Sequence, residues 1–416
     1  MEFRNLTPFA AMQFKMLDLE DNENYVVVMK VGYRLEPDAS GGFRVRVRDD
    51  DAAVLSIQDE YLGNMNISSV IQESDLAPFK PACDIIISGS ACADNGSPVL
   101  KQTVSVKINN ASGHSILEKK LTVNGKRDFL KNKITKQWSL TEPEPFIRQP
   151  VIWEAAFGGE CRINESDSGA DSVPKADRLT DIQKASHPDS ENLPLAHSVC
   201  ENNPVGKGFI TPWYARATQA DRYPAPQITD PRYPFTAEDF DSLIAGRADL
   251  TEKQFQPAGF GFTGRAWLPR RQKAGTYDEA WLKNRHPGLP EDFDFHYWNA
   301  APADQQIPFP TLPLSVALQG FSPDGGIRFS LPAHEAFVLL RMDDGMILPR
   351  EMNLDTLHID AGSLDVTLCW RFVLPASVPV RVIEARYETE PEKLLEKLFG
   401  FSTPQPLTNT GVPAHG

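Results

Sequence analysis

The chain lacks most of what metal, cofactor and membrane sites require. Its five cysteines (Cys83, Cys92, Cys161, Cys200, Cys369) are odd in number and far apart, with no Cys-x-x-Cys pair and no Cys/His cluster at zinc spacing. Free thiols in a reducing compartment are therefore expected. No apolar run approaches the ~18 uninterrupted residues that cross a bilayer. The start, Met1-Glu-Phe-Arg-Asn-Leu-Thr-Pro, has no charged-then-apolar leader pattern, so a cytoplasmic protein without membrane insertion is expected. Basic residues are in deficit, 42 Lys and Arg against 56 Asp and Glu, and the net charge of -14 repels nucleic acid and anionic lipid. That charge suits either a basic partner or plain solubility. There is no Gly-x-Ser-x-Gly elbow, no Ser-x-x-Lys and no phosphate loop. Catalytic, cofactor-binding and metal-ligating residues are accordingly expected to be none.

Short strands are abundant instead. Tyr25-Val-Val-Val-Met-Lys-Val-Gly-Tyr-Arg-Leu is β-branched, and Gly42-Phe-Arg-Val-Arg-Val-Arg alternates apolar residues with arginine, as a half-buried strand does. Asp84-Ile-Ile-Ile is a core-strand run. Thr103-Val-Ser-Val-Lys-Ile and Leu117 to Val123 flank the turn-like Asn109-Asn-Ala-Ser-Gly, and Asn124-Gly125 carries the letters of a tight hairpin. Strands return from Leu314 onward. A single amphipathic helix is expected over residues 390–400, where Leu394, Leu395, Leu398 and Phe399 form one stripe. The predicted fold is mainly β, a β-rich α+β arrangement of two antiparallel sandwich-like lobes joined by a long irregular region. The expected divisions are residues 1–159, a loop-rich middle over 160–313 packed across the lobes, 314–402, and a tail over 403–416.

The middle is compositionally distinct. Twenty of the 34 prolines fall between Pro143 and Pro313, and residues 160–201 contain no Phe, Trp or Tyr. Only Thr236-Ala-Glu-Asp-Phe-Asp-Ser-Leu-Ile reads as a helix, with Thr236 as its cap. Gln256 to Gln306 gathers Trp267, Trp281 and Trp298 among glycines, prolines and arginines. Rings of that size must bury against something solid, in this chain or in a partner. At least two of the three are expected to be buried here. Trp and Arg are favoured at binding surfaces, so Arg265, Trp267, Arg270, Arg271, Tyr277, Trp281 and Trp298 are the expected partner-binding residues, with Arg270 and Arg271 facing outward after Pro269. Gly259-Phe-Gly-Phe-Thr-Gly264 matches Gly-x-Gly-x-x-Gly by letter, but neither a strand before it nor a helix after it supports a nucleotide site. Asp292, Asp294 and His296 read as a solvated loop with Phe293, Phe295 and Tyr297 turned inward. The remaining histidines are scattered singly and suit local hydrogen bonds.

Eight motifs occur in order between Thr7 and Leu340. They are Thr7-Pro-Phe-Ala-Ala, Glu73-Ser-Asp-Leu-Ala-Pro-Phe-Lys-Pro, Trp153-Glu-Ala-Ala-Phe-Gly-Gly, Asn203-Pro-Val-Gly-Lys-Gly-Phe, Gly264-Arg-Ala-Trp-Leu-Pro-Arg-Arg, Ala274-Gly-Thr-Tyr-Asp-Glu-Ala-Trp, Leu289-Pro-Glu-Asp-Phe-Asp and Asn299-Ala-Ala-Pro-Ala-Asp-Gln-Gln. Together they resemble a bacterial domain-of-unknown-function family encoded beside type VI secretion genes. Its members look like adaptors or chaperones that load a toxic effector onto a PAAR-tipped VgrG spike. The resemblance implies a non-enzymatic protein of the bacterial cytoplasm whose partners are a secreted effector and a PAAR-like or VgrG spike protein. It brings no catalytic residues. Two alternatives stand beside it: a carbohydrate-active or other hydrolase using an acid pair such as Asp292 and Asp294, which would need a separation of about 5–9.5 Å across a cleft, and a structural component of the secretion apparatus.

Overall fold

Three sheets hold most of the strand residues. The computed structural model describes residues 1–39, 41–48 and 53–390; the helix expected over 390–400 and the tail over 403–416 lie outside these apart from Glu390. A seven-stranded sheet runs in the order Ala10–Leu17, Glu23–Pro37, Asp365–Pro375, Asn353–Asp360, Cys83–Ser88, Gln306–Ile307, with Phe43–Val47 also paired to Glu23–Pro37. A five-stranded sheet has the order Ile228–Thr229, Ser115–Asn124, Lys101–Asn109, Leu314–Gln319, Gly326–Leu331. A four-stranded sheet joins Glu2–Asn5, Val380–Glu388, Glu335–Met342 and Ile347–Glu351. The protein is mainly β, as its alternating strands predict.

The strands before residue 160 and after 313 do not segregate into two lobes. Glu23–Pro37 pairs with Asp365–Pro375 from Asn24↔Pro375 to Arg34↔Asp365, and Lys101–Asn109 pairs with Leu314–Gln319. One apolar core joins them: Val27, Met29, Val31 and Tyr33 meet Val104, Val106, Val316, Leu318, Val338 and Leu340. Nor are the sheets wholly antiparallel, since Cys83–Ser88 runs parallel to Asn353–Asp360 and Glu2–Asn5 parallel to Val380–Glu388.

The irregular middle has a core of its own. Phe129 stacks on Phe240 with ring centroids 4.0 Å apart, and Phe157, Trp213, Tyr223, Phe235 and Phe255 close around them. Two short helices hold this cluster. Ala237–Ile244 begins at a reciprocal Thr236/Asp239 cap, and Pro212–Thr218 begins at Thr211 with proline in its first turn. Asn124-Gly125 makes no hairpin: Asn124 still pairs with Lys101, and the next strand, Asp128–Lys131, belongs to another sheet. Gly125 is required for a different reason, because a Cβ there would stand 1.8 Å from the Glu144 carbonyl oxygen.

Candidate functional site

Side chains alternate across a strand, so the seven-stranded sheet has a second face opposite its core. On that face the register sets Lys30, Cys369, Thr356 and Asp84 opposite one another across four neighbouring strands. Lys30, Cys369 and Asp84 are buried and Thr356 partly so, because the loop over residues 54–82 and the stretch 256–306 bond across the row. The covering segments bring their own charges. Lys80 donates to Asp84 Oδ2 and to Thr356 Oγ1, both at 2.9 Å. Asp84 also accepts from the Ala300 and Ala301 amides and from Asn299 Nδ2. Lys30 reaches Asp75 at 2.8 Å, Arg371 reaches Asp355 at 2.5 Å, and Arg371 also donates to the Asp75 and Ala77 carbonyls.

Glu73 joins this layer to the Trp/Arg stretch. Arg270 Nη1 lies 2.6 Å and Arg265 Nε 2.8 Å from its Oε1, and Arg265 extends to Asp59 at 3.1 Å. Burial pushes the Glu73 carboxyl pKa up, but the charges of Arg270, Arg265 and Lys80 outweigh it and hold Glu73 below the ordinary range. Lys80 moves the other way: burial lowers its ammonium pKa, and Asp84, Asp355 and Glu73 more than reverse that. Five cations (Lys30, Lys80, Arg265, Arg270, Arg371) thus face five acids (Asp59, Glu73, Asp75, Asp84, Asp355). Desolvating paired ions roughly cancels their attraction, so such a layer adds little net stability. It does fix which loop lies where. Cys83 and Cys369, beside it, are thiols whose pKa burial raises, the opposite of an activated nucleophile.

The loop held by this layer presents apolar side chains to water. Its two short strands, Glu60–Tyr61 and Val70–Gln72, pair with each other. Its base is fixed by Ser69, which donates from N and Oγ to the two Glu154 carboxylate oxygens at 2.7 and 2.6 Å. Between Val54 and Ile71, six large apolar residues are exposed: Val54 60%, Ile57 70%, Leu62 55%, Met65 70%, Ile67 69% and Ile71 44%. Single exposed apolar side chains are ordinary, whereas six on one anchored loop are not. No Lys or Arg occurs from residue 49 to 79, a span with seven acids.

The residues expected to bind a partner do not form one surface. Arg265, Arg270 and Trp298 come together around Glu73, with the Arg265 guanidinium 5.2 Å from the Trp298 ring centroid. Arg270, expected outside, is only 3% exposed, because Glu73, the Thr263 carbonyl and the Tyr297 carbonyl accept its hydrogen bonds. Arg271 is half exposed and pairs with Glu201. Trp267 is buried edge-on to Trp153; Trp281 and Trp298 are half-buried, so one of the three rings is fully enclosed rather than two. Tyr277 and Trp281 touch each other, and Trp281 also meets His286. The Gly-x-Gly-x-x-Gly letters serve these indoles: a Cβ at Gly259 would strike the Trp153 ring and one at Gly264 the Trp267 ring.

Asp292 and Asp294 are exposed, accepting from Thr276 and His296 respectively. His187 and His197 are not single. The Asp189 amide donates to His187 Nδ1, His187 Nε2 lies 2.9 Å from His197 Nδ1, and His197 Nε2 lies 2.9 Å from a Glu160 carboxylate oxygen. Among the described residues no three His, Cys, Asp or Glu side chains are placed to hold a metal ion, and no helix is long and apolar enough to cross a membrane. Sequence reasoning missed both the ion layer and the apolar loop. The signals were single charges inside apolar strands, Lys30 after Val-Val-Val-Met and Arg371 after Cys-Trp, and a cation-free span rich in Leu, Ile and Met.

Fold and site define a multi-sheet β protein in which this buried ion layer fixes a covering loop that offers apolar side chains to solvent. The chain belongs to a bacterial family: residues 20–371 match the family described as an uncharacterized protein conserved in bacteria (DUF2169). No curated protein and no solved structure matches it.

Proposed function

We propose that this protein is a non-enzymatic adaptor or chaperone that holds another protein on its apolar loop. The observation that carries the reading is the set of exposed side chains from Val54 to Ile71 on a loop locked from beneath. A preorganised apolar surface loses little conformational entropy when a partner covers it. The acids around it favour a partner that is basic as well as apolar. The resemblance of the motif series supplies the finer reading, in which the cargo is a type VI secretion effector delivered to a PAAR-like or VgrG spike protein from the bacterial cytoplasm. The hydrolase reading would need two carboxyls facing each other across a cleft, whereas Asp292 and Asp294 each turn to a local partner.

Co-expression with the product of each neighbouring gene tests the proposal. A complex should persist on gel filtration and raise the soluble yield of the cargo. Ile57→Asp combined with Ile67→Asp should weaken it by about 2 kcal/mol or more, the scale of an interface hot spot, without lowering the melting temperature. A doubly substituted protein that binds cargo normally would move the binding surface elsewhere, and no complex with any neighbour would remove the adaptor reading.

A further inference from the structure

A second surface has the opposite electrical character. On a chain of net charge -14, four cations and one carboxylate line a groove of about 670 Å³ between the Asn132–Gln137 turn and the helix Pro212–Thr218. Lys131, Lys133 and Lys136 come from the turn and its flank, Arg216 from the helix, and Asp221 is the one acid. No carboxylate among the described residues lies within 4.0 Å of the three lysine ammonium groups, while Arg216 has only a long 3.9 Å contact to Asp177. Trp138 and Tyr223 form an aromatic wall, and Lys131 Nζ stands 5.5 Å from the Trp138 ring centroid.

The turn is built in advance. Asn132 Oδ1 accepts from the Ile134 and Thr135 amides, the Lys136 amide donates to the Asn132 carbonyl, and Lys136 adopts a left-handed φ of 62°. This conformation carries Ile134 at the tip, 91% exposed. An isoleucine presented by a hydrogen-bonded turn, beside three unpaired ammonium groups and an aromatic wall, can engage an aliphatic and an acidic side chain of one segment together.

We infer that this groove binds an acidic peptide segment of a partner protein that also carries an aliphatic or aromatic residue. Clusters of basic side chains recognise acidic motifs by complementary charge. A nucleic acid strand would also find cations and rings here. It is disfavoured because a long polyanion extends beyond the groove into the field of a strongly acidic molecule, and because Asp221 lines the groove together with the cations. The inference is independent of the apolar loop. An adaptor joins two things, and this would be its second point of attachment.

The test uses the full chain and three fluorescein-labelled probes: an Asp/Glu-rich peptide containing Leu and Phe, the same peptide with Asn and Gln in place of the acids, and an oligo-dT strand. The acidic peptide should bind best, and its affinity should fall as salt rises from about 50 to about 500 mM. Lys133→Glu with Lys136→Glu should weaken it by at least about tenfold, and Lys133→Gln with Lys136→Gln by less, with unchanged melting temperatures. Ile57→Asp with Ile67→Asp should leave it intact, which separates this surface from the loop. Equal binding of the amide peptide, tighter binding of oligo-dT, or no effect of either lysine pair would overturn the inference.

Discussion

Arg270 and Arg271 are neighbours in sequence and opposites in energetics. Arg270 is buried, and Glu73, enclosed with it, depends on it for charge. Arg270→Met leaves Glu73 with Arg265 as its one close ion-pair partner and leaves the Thr263 and Tyr297 carbonyls without their donor, so it should destabilise by about 3 kcal/mol. Arg271→Glu loses exposed contacts to Glu201 and the Ala266 carbonyl and sets a like charge beside Glu201, and should cost about 1 kcal/mol or less. Urea midpoints of the two variants check the contrast, and equal midpoints would show that the Glu73 pair is not fixed as described. His358 gives a pH prediction. Its Nε2 lies 2.8 Å from Ser88 Oγ, and burial lowers its pKa from 6.5 to about 4. The unfolded chain therefore takes up a proton between those values while the fold does not. This contribution is complete above the unfolded value and is lost as pH falls from 6.5 towards 4. His358→Gln should reduce the slope of stability against pH in that window, by at most about 1.4 kcal/mol per unit. An unaltered slope would mean that His358 charges inside the fold.

At the scale of elements, glycines divide by the reason each is needed. Gly125 has ordinary backbone angles and no room, while Gly113 has a φ of +80° and open space around it. Gly125→Ala should cost about 3 kcal/mol or more, because the Glu144 backbone must move; Gly113→Ala should cost only the left-handed penalty of about 1–2 kcal/mol. Thermal melts of both rank the two causes, and the reverse order would contradict the packing at Glu144. The sequence cannot distinguish these cases, which is why Asn124-Gly125 reads as a hairpin and why Gly259 to Gly264, whose letters alone match a dinucleotide fingerprint, gives no sign that Gly259 and Gly264 make room for indole rings. Alternation, by contrast, is local: Phe43–Val47, the Lys101–Asn109 and Ser115–Asn124 hairpin, and the Thr236 cap are all legible. What was not legible depends on distant partners. Nothing near Arg270 in sequence reveals Glu73, 197 residues away.

At the scale of the whole molecule, early and late strands are bound into common sheets. Residues 1–159 supply Glu23–Pro37 and Lys101–Asn109, whose partners Asp365–Pro375 and Leu314–Gln319 lie beyond residue 313. Neither 1–159 nor 314–390 should fold alone, since each would expose one side of an unpaired central strand. Both should be recovered in soluble form only when produced together with the middle region, as dispersed amide resonances would show. A folded, monomeric 1–159 fragment would mean that this sheet does not need its late strands.

That same interleaving governs the order of events at the ribosome. Asp84 leaves the exit tunnel early, and Thr356, beside it in the finished sheet, is made about 270 residues later. At ordinary synthesis rates the interval is on the order of tens of seconds. Until it ends, Lys80 and Asp84 stand in water, the Glu23–Pro37 strand has one open edge, and the apolar loop rests on an unfinished floor. Pairings this distant also form slowly after release. A protein proposed to shelter another chain is itself, while being made, a chain in need of shelter.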